Sequence, residues 1–81
     1  MKVLKFAAEW CGPCKMLSKT LEGYTDVEIQ EIDIDEDQEV AIRYGIRGVP
    51  TLVLLDDNGS ELRRKSGMMM FNDFEKFVKG E

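Results

Sequence analysis

The sequence runs from a short apolar stretch, Lys2 to Ala8, straight into Glu9-Trp10-Cys11-Gly12-Pro13-Cys14-Lys15, and from there into a helical pattern. Cys11 and Cys14 are the only cysteines in the 81 residues. Pro13 has a fixed φ and no N–H, which suits the first turn of a helix, where that N–H would have no partner anyway. The handover therefore places Cys11 at the helix start and Cys14 one turn in. Residues three apart on a helix lie about 5–6 Å apart, a separation that suits an unstrained disulfide. Unpaired N–H groups and a partial positive charge at the helix start favour a thiolate at Cys11, so its pKa is expected below the ordinary thiol value. Cys11 is the expected exposed attacker, and Cys14 the shielded thiol with the higher pKa.

Other uses of the pair fare less well. Loop-closure entropy grows with loop length, so a bridge this short is a poor staple and the fold must rest on its core. Two ligands do not close a zinc site, and the chain has no histidine, so no metal is assigned. Inert thiols and a Cu(I) site are the remaining alternatives; a Cys-x-x-Cys pair following a strand favours redox chemistry. The net charge is −5, with no basic stretch to suit nucleic acid. The longest apolar run, Val49 to Leu55, is far short of a membrane span. With no signal sequence evident at the N-terminus, a reducing cytoplasm is the expected setting.

Along the chain, Lys2 to Ala8 reads as a strand. Lys15 to Leu21 carries helical spacing through Met16, Leu17 and Leu21, and Gly23 can end that helix. Val27 to Ile34 reads as a second strand with Ile29, Ile32 and Ile34 as core candidates, and Gln38 to Tyr44 as a short helix closed by Gly45. Thr51 to Leu55 suits a buried strand. Asp56-Asp57-Asn58-Gly59 is a hairpin turn, returning an antiparallel strand over Glu61 to Ser66. Asn72 and Glu75 form a capping-box pattern ahead of a last helix bearing Phe74, Phe77 and Val78. The order β-α-β-α-β-β-α in one domain over residues 1–81 predicts an α/β fold: a four-stranded mixed sheet with helices on both faces and a right-handed parallel crossover first. The acidic run from Asp33 to Glu39 imitates a calcium loop, but Gln38 stands where glycine is needed and Tyr44 where the closing Glu should be.

Three segments together resemble the thioredoxin family: Ala8 to Lys15 its active-site signature, Tyr44 to Thr51 its cis-proline loop, and Asp56 to Gly67 its hairpin with the glycine beyond. The resemblance covers nearly the whole chain. It implies a thioredoxin-like fold and protein-disulfide reduction by dithiol–disulfide exchange, for which lowered cysteine pKa values are already a known family property. Cys11 and Cys14 would be the catalytic pair. Val49-Pro50 would be cis, turning the Val49 backbone outward to pair with an extended substrate. Trp10, Gly12, Pro13, Val49, Pro50, Gly67 and Met68 would form the substrate-binding surface, Gly67 keeping the groove free of a side chain. Met69 and Met70 either pack beneath the last helix or extend that adaptable surface. No bound cofactor is expected. Partners would be protein disulfides and a separate thioredoxin reductase-like protein, because the chain carries no Gly-rich dinucleotide fingerprint; the chain itself would be a monomer.

The chain departs from the family pattern in two places that matter. It begins at the strand before the cysteines, lacking the family's N-terminal strand and helix, which would expose one sheet edge. Where the family has a buried Asp paired with a Lys on the neighbouring strand, this chain has Lys5 and Glu31, the charges exchanged. Lys5 and Glu31 are predicted to face each other beneath Cys14 and to tune its proton transfer; the alternative is that Lys5 extends its ammonium to solvent. Rival functions are a glutaredoxin-like oxidoreductase using glutathione, a thioredoxin-fold binding subunit with incidental cysteines, and a Cu(I) carrier.

Overall fold

Strand β1 (Lys2–Ala7) is buried from Val3 to Ala7, as a strand covered on both faces must be. The computed structural model describes residues Met1–Glu81, and β1 lies inside its four-stranded sheet of order β2-β1-β3-β4. Helix α1 (Gly12–Thr20) carries the chain to β2 (Glu28–Asp33), which pairs parallel to β1; a parallel pair needs such a crossover. After α2 (Gln38–Arg43), β3 (Thr51–Leu55) runs antiparallel to β1, buried throughout. Strand β4 (Glu61–Ser66) returns antiparallel to β3, and α3 (Phe71–Lys79) closes the chain.

The alternation of side chains along a strand divides the core in two. Val3, Leu52 and Leu54 face Leu17 and Leu21 around α1 and Phe74, Phe77 and Val78 of α3. Leu4, Phe6, Ile32, Val53 and Leu55 face Ala41 of α2, with the Tyr44 ring 5.6 Å from that of Phe6. Helices thus cover both faces, as the element order predicts. By the same alternation Lys5 falls on the α1 face, between Val3 and Ala7. The hairpin forms through Asp56, whose Oδ1 accepts the Asn58 and Ser60 N–H groups, while Gly59 takes φ +84°. The sheet edges are β2 and β4, and the charged, exposed residues of β4 discourage pairing there.

Several local expectations need correction. Met16 is 61% exposed rather than core, because Cys14, Leu17 and Leu21 already define the inward stripe of α1 and its immediate continuation. The capping box does not form: α3 starts at Phe71, Met70 is its N-cap without a side-chain bond, and Asn72 lies inside the first turn. Met69 is the reason, since its buried side chain anchors the chain in the core and the helix begins directly afterwards. The methionines divide accordingly, with Met69 buried and Met70 exposed. Ile29 and Ile34 are only half-buried, whereas Ile32 is buried. Element ends differ from the sequence expectation by a residue or so, while α1 starts as expected, with Cys11 at its N-cap and Pro13 in its first turn.

Candidate functional site

The end of β1 turns into α1 through a Cys11 N–H to Ala8 carbonyl bond of 3.1 Å. Cys11 is the N-cap of α1, with extended backbone, and its Sγ accepts the Cys14 N–H at 3.1 Å. A sulfur therefore occupies the place where a capping oxygen usually satisfies the first helical amides. Cys11 and Cys14 are joined as a disulfide, with their Cα atoms 5.3 Å apart.

Cys11 is not the exposed residue the sequence suggested. It is 5% exposed against 2% for Cys14, because in the oxidised pair its sulfur folds onto the helix start and packs with Ala7, Ala8 and Val49. What stands open is its surroundings. Gly12 and Pro13 are exposed, and Trp10 is 69% exposed. The Trp10 indole N–H donates to Asp35 Oδ2 at 2.9 Å, which fixes the ring beside the cysteines rather than in the core. Asp35 was not anticipated, since the acidic run reads as a solvated loop. Asp33 shapes that loop by accepting the Asp35 and Glu36 N–H groups.

The Val49–Pro50 bond is cis, as the resemblance implied. Pro50 is buried and its carbonyl accepts the Gly67 N–H at 2.8 Å, while Thr51 Oγ1 donates to the Gly48 carbonyl at 2.8 Å. Val49 is half-buried against the cysteine cluster, and no other backbone group engages its N–H or C=O. Gly67 takes φ +92°, and a Cβ there would meet nothing within 4 Å. Its glycine is thus required by backbone conformation rather than by a close neighbour. Met68, next to it, is 41% exposed. Between Trp10 and Val49 lies a groove of about 280 Å³ walled by Ile34, Ile42 and Ile46. Ile42, 77% exposed on α2, and half-buried Ile46 received no role from the sequence, since neither lies in a recognised motif.

Lys5 and Glu31 stand directly opposite in the β1–β2 register. The Lys5 ammonium donates to Glu31 Oε1 and to Ser18 Oγ, so it does not run out to solvent; Lys5 is 3% exposed. Ser18 also donates to the Cys14 carbonyl at 3.1 Å. Ser18 gave no signal in the sequence, since a serine on an amphipathic helix reads as solvent-facing. Burial, then Asp26 and Glu75, raise the pKa of the Tyr24 phenol, and a hydrogen bond from Arg64 lowers that of Glu61. No group of three or more His, Cys, Asp or Glu gathers in a metal-holding arrangement, and no helix is long and apolar enough to cross a membrane.

A cysteine pair bridged across the first turn of a helix, beside a cis-proline loop on a mixed sheet, defines a thiol–disulfide oxidoreductase. The thioredoxin family model matches residues 1–80, and this chain belongs to that family. Among curated relatives, the SPbeta prophage-derived thioredoxin-like protein YosR of Bacillus subtilis is 35% identical over 79 residues, covering 98% of this chain and 96% of that protein. A thioredoxin of Chlamydia trachomatis is 41% identical over 70 residues, covering 82% of this chain and 68% of that protein. Among solved structures, a mutant thioredoxin from Halobacterium salinarum matches with a TM-score of 0.89 at 38% identity, covering 98% of this chain and 72% of that one. The Fasciola hepatica thioredoxin gives 0.88 at 30% identity, covering 98% and 78%.

Proposed function

We propose that this chain reduces disulfides in protein substrates and is itself recharged by a separate reductase. The observation that carries the reading is the Cys14 N–H bond to Cys11 Sγ at the N-cap of α1. On reduction, the same amide and helix end favour negative charge on that sulfur, so Cys11 is the nucleophile. Its thiolate attacks a substrate disulfide, forming a mixed disulfide and releasing the first substrate thiolate. Cys14 then attacks Cys11 Sγ; the Cys11–Cys14 bond forms and the second substrate sulfur leaves reduced.

The substrate would lie across Trp10, Gly12, Pro13, Val49, Pro50, Gly67 and Met68. The unengaged Val49 N–H and C=O suit an extended peptide, which can add to them as a strand adds to a sheet edge. The exposed Trp10 ring and the adjoining isoleucine groove supply apolar contact that does not depend on one substrate sequence. A working dithiol of this kind fits a reducing compartment such as the cytoplasm.

Insulin supplies a suitable protein disulfide, with dithiothreitol as electron donor. The expected result is insulin reduction well above the rate with dithiothreitol alone; no acceleration would contradict the reading. Replacing dithiothreitol by a thioredoxin reductase with NADPH should sustain turnover better than glutathione with its own reductase. The reverse preference would identify a glutaredoxin-like oxidoreductase instead.

A further inference from the structure

Lys5 is the one charged side chain buried in the core, and the exchange steps above make no use of it. An ammonium on a central strand is costly unless paired and hydrogen-bonded, and Lys5 has both Glu31 and Ser18. The pair is unequal, however. The Lys5 side chain is 3% exposed and that of Glu31 61%, so water screens the carboxylate far more than the ammonium. Towards the interior the two charges do not cancel, and the field beneath α1 is positive. Ser18, bonded to the ammonium, also holds the Cys14 carbonyl and so ties Lys5 to the turn that carries Cys14. Cys14, Ser18 and Glu31 line one cavity of about 170 Å³ that also has the exposed Glu9 and Lys15 in its wall.

We infer that Lys5 is a built-in cation that favours the thiolate of Cys14 and so speeds the resolving step, an inference that rests on Cys14 being the resolving thiol. The Cys14 S–H proton leaves to solvent through the cavity, and the thiolate attacks Cys11 Sγ. The Cys11–Cys14 bond forms, the bond from Cys11 to the substrate breaks, and the substrate sulfur departs with the electron pair and takes up a proton from solvent. The dithiol is oxidised and the substrate reduced by the same two electrons. Lys5 acts through its field and is a positioning residue.

The other charged groups around the cavity are Glu9, Lys15, Glu31 and Asp33, and Tyr24 lies with Lys5 in the cleft on the far side of Ser18. Glu9, Lys15 and Glu31 are exposed and Asp33 half-buried, so Lys5 is the least screened of these charges.

The test uses the full chain in a Cys11→Ala background, where Cys14 titrates alone and its thiolate absorbance is followed against pH. Lys5→Met, close in shape and suited to a buried site, should raise the Cys14 midpoint by roughly one pH unit, about a tenfold loss of thiolate at neutral pH. Lys5→Arg should restore it. Glu31→Gln, which alters only an exposed residue, should lower the midpoint by a smaller amount. These opposed shifts would not follow from a purely structural role. The inference is overturned if Lys5→Met leaves the midpoint unmoved or lowers it; should Lys5→Met not fold, Glu31→Gln decides alone, and an unmoved or raised midpoint overturns it. Separately, if a Cys14→Ser chain fails to accumulate a mixed disulfide, the assignment of the resolving thiol itself fails, whatever the titrations give.

Discussion

Replacing Cys11 by serine is expected to stop insulin reduction, with a loss of at least about 10³-fold in turnover. A serine hydroxyl is not ionised at neutral pH and cannot serve as the thiolate that attacks a disulfide sulfur. Cys14→Ser should fail in a different way. Its Cys11 still attacks, but nothing displaces the captured substrate, so a covalent adduct accumulates that excess dithiothreitol releases. Intact mass after mixing with a disulfide substrate measures this directly. The expected pattern is an adduct with Cys14→Ser and none with Cys11→Ser; the reverse would exchange the roles of the two cysteines.

Phe74→Ala should produce the largest loss of stability away from the cysteines. The ring is fully buried, with its centroid 5.1 Å from that of Tyr24 at an interplanar angle of 87° and 6.4 Å from that of Phe77. Truncating it removes buried apolar area, leaves a cavity and ends the edge-to-face contact, a combined cost of about 3–5 kcal/mol. Domains this small are stable by about 5–15 kcal/mol in all, so the loss takes a large part of the margin. It corresponds to a fall in Tm of roughly 12–40 °C at about 4–8 °C per kcal/mol. Phe71→Ala removes a ring that is 41% exposed and should cost much less. Comparable thermal unfolding of the two variants would contradict the assigned core.

The fold was legible in outline because each element carries its own local signal. The buried run of β3, the Asp56 to Gly59 turn and the Leu17–Leu21 spacing have the period or turn chemistry of what they form. Failures came where tertiary contacts decide. The Asn72 capping box is a valid local pattern, yet burial of Met69 fixes where the chain enters α3 and leaves that pattern two residues late. Met16 counted as apolar, but α1 can turn only one stripe inward. At the site, the spacing of Cys11 and Cys14 carried the chemistry, whereas the low exposure of Cys11 comes from its packing with Ala7, Ala8 and Val49, which the spacing does not encode. Asp35 and Ser18 left no trace because a surface carboxylate and a helix hydroxyl acquire roles only from their partners, Trp10 and Lys5. The Lys5–Glu31 pairing was legible through the family resemblance alone, since strand register is not encoded in either residue.

The proposed exchange depends on helix α1 stabilising charge on the Cys11 sulfur. The direct measurement is the pH dependence of Cys11 alkylation in the reduced Cys14→Ser protein, compared with a free cysteine peptide. With the Cys14-position amide and the helix end acting on a thiolate, the midpoint for Cys11 should fall below that of the peptide, so that a larger fraction reacts at neutral pH. A midpoint equal to or above that of the peptide would contradict the account.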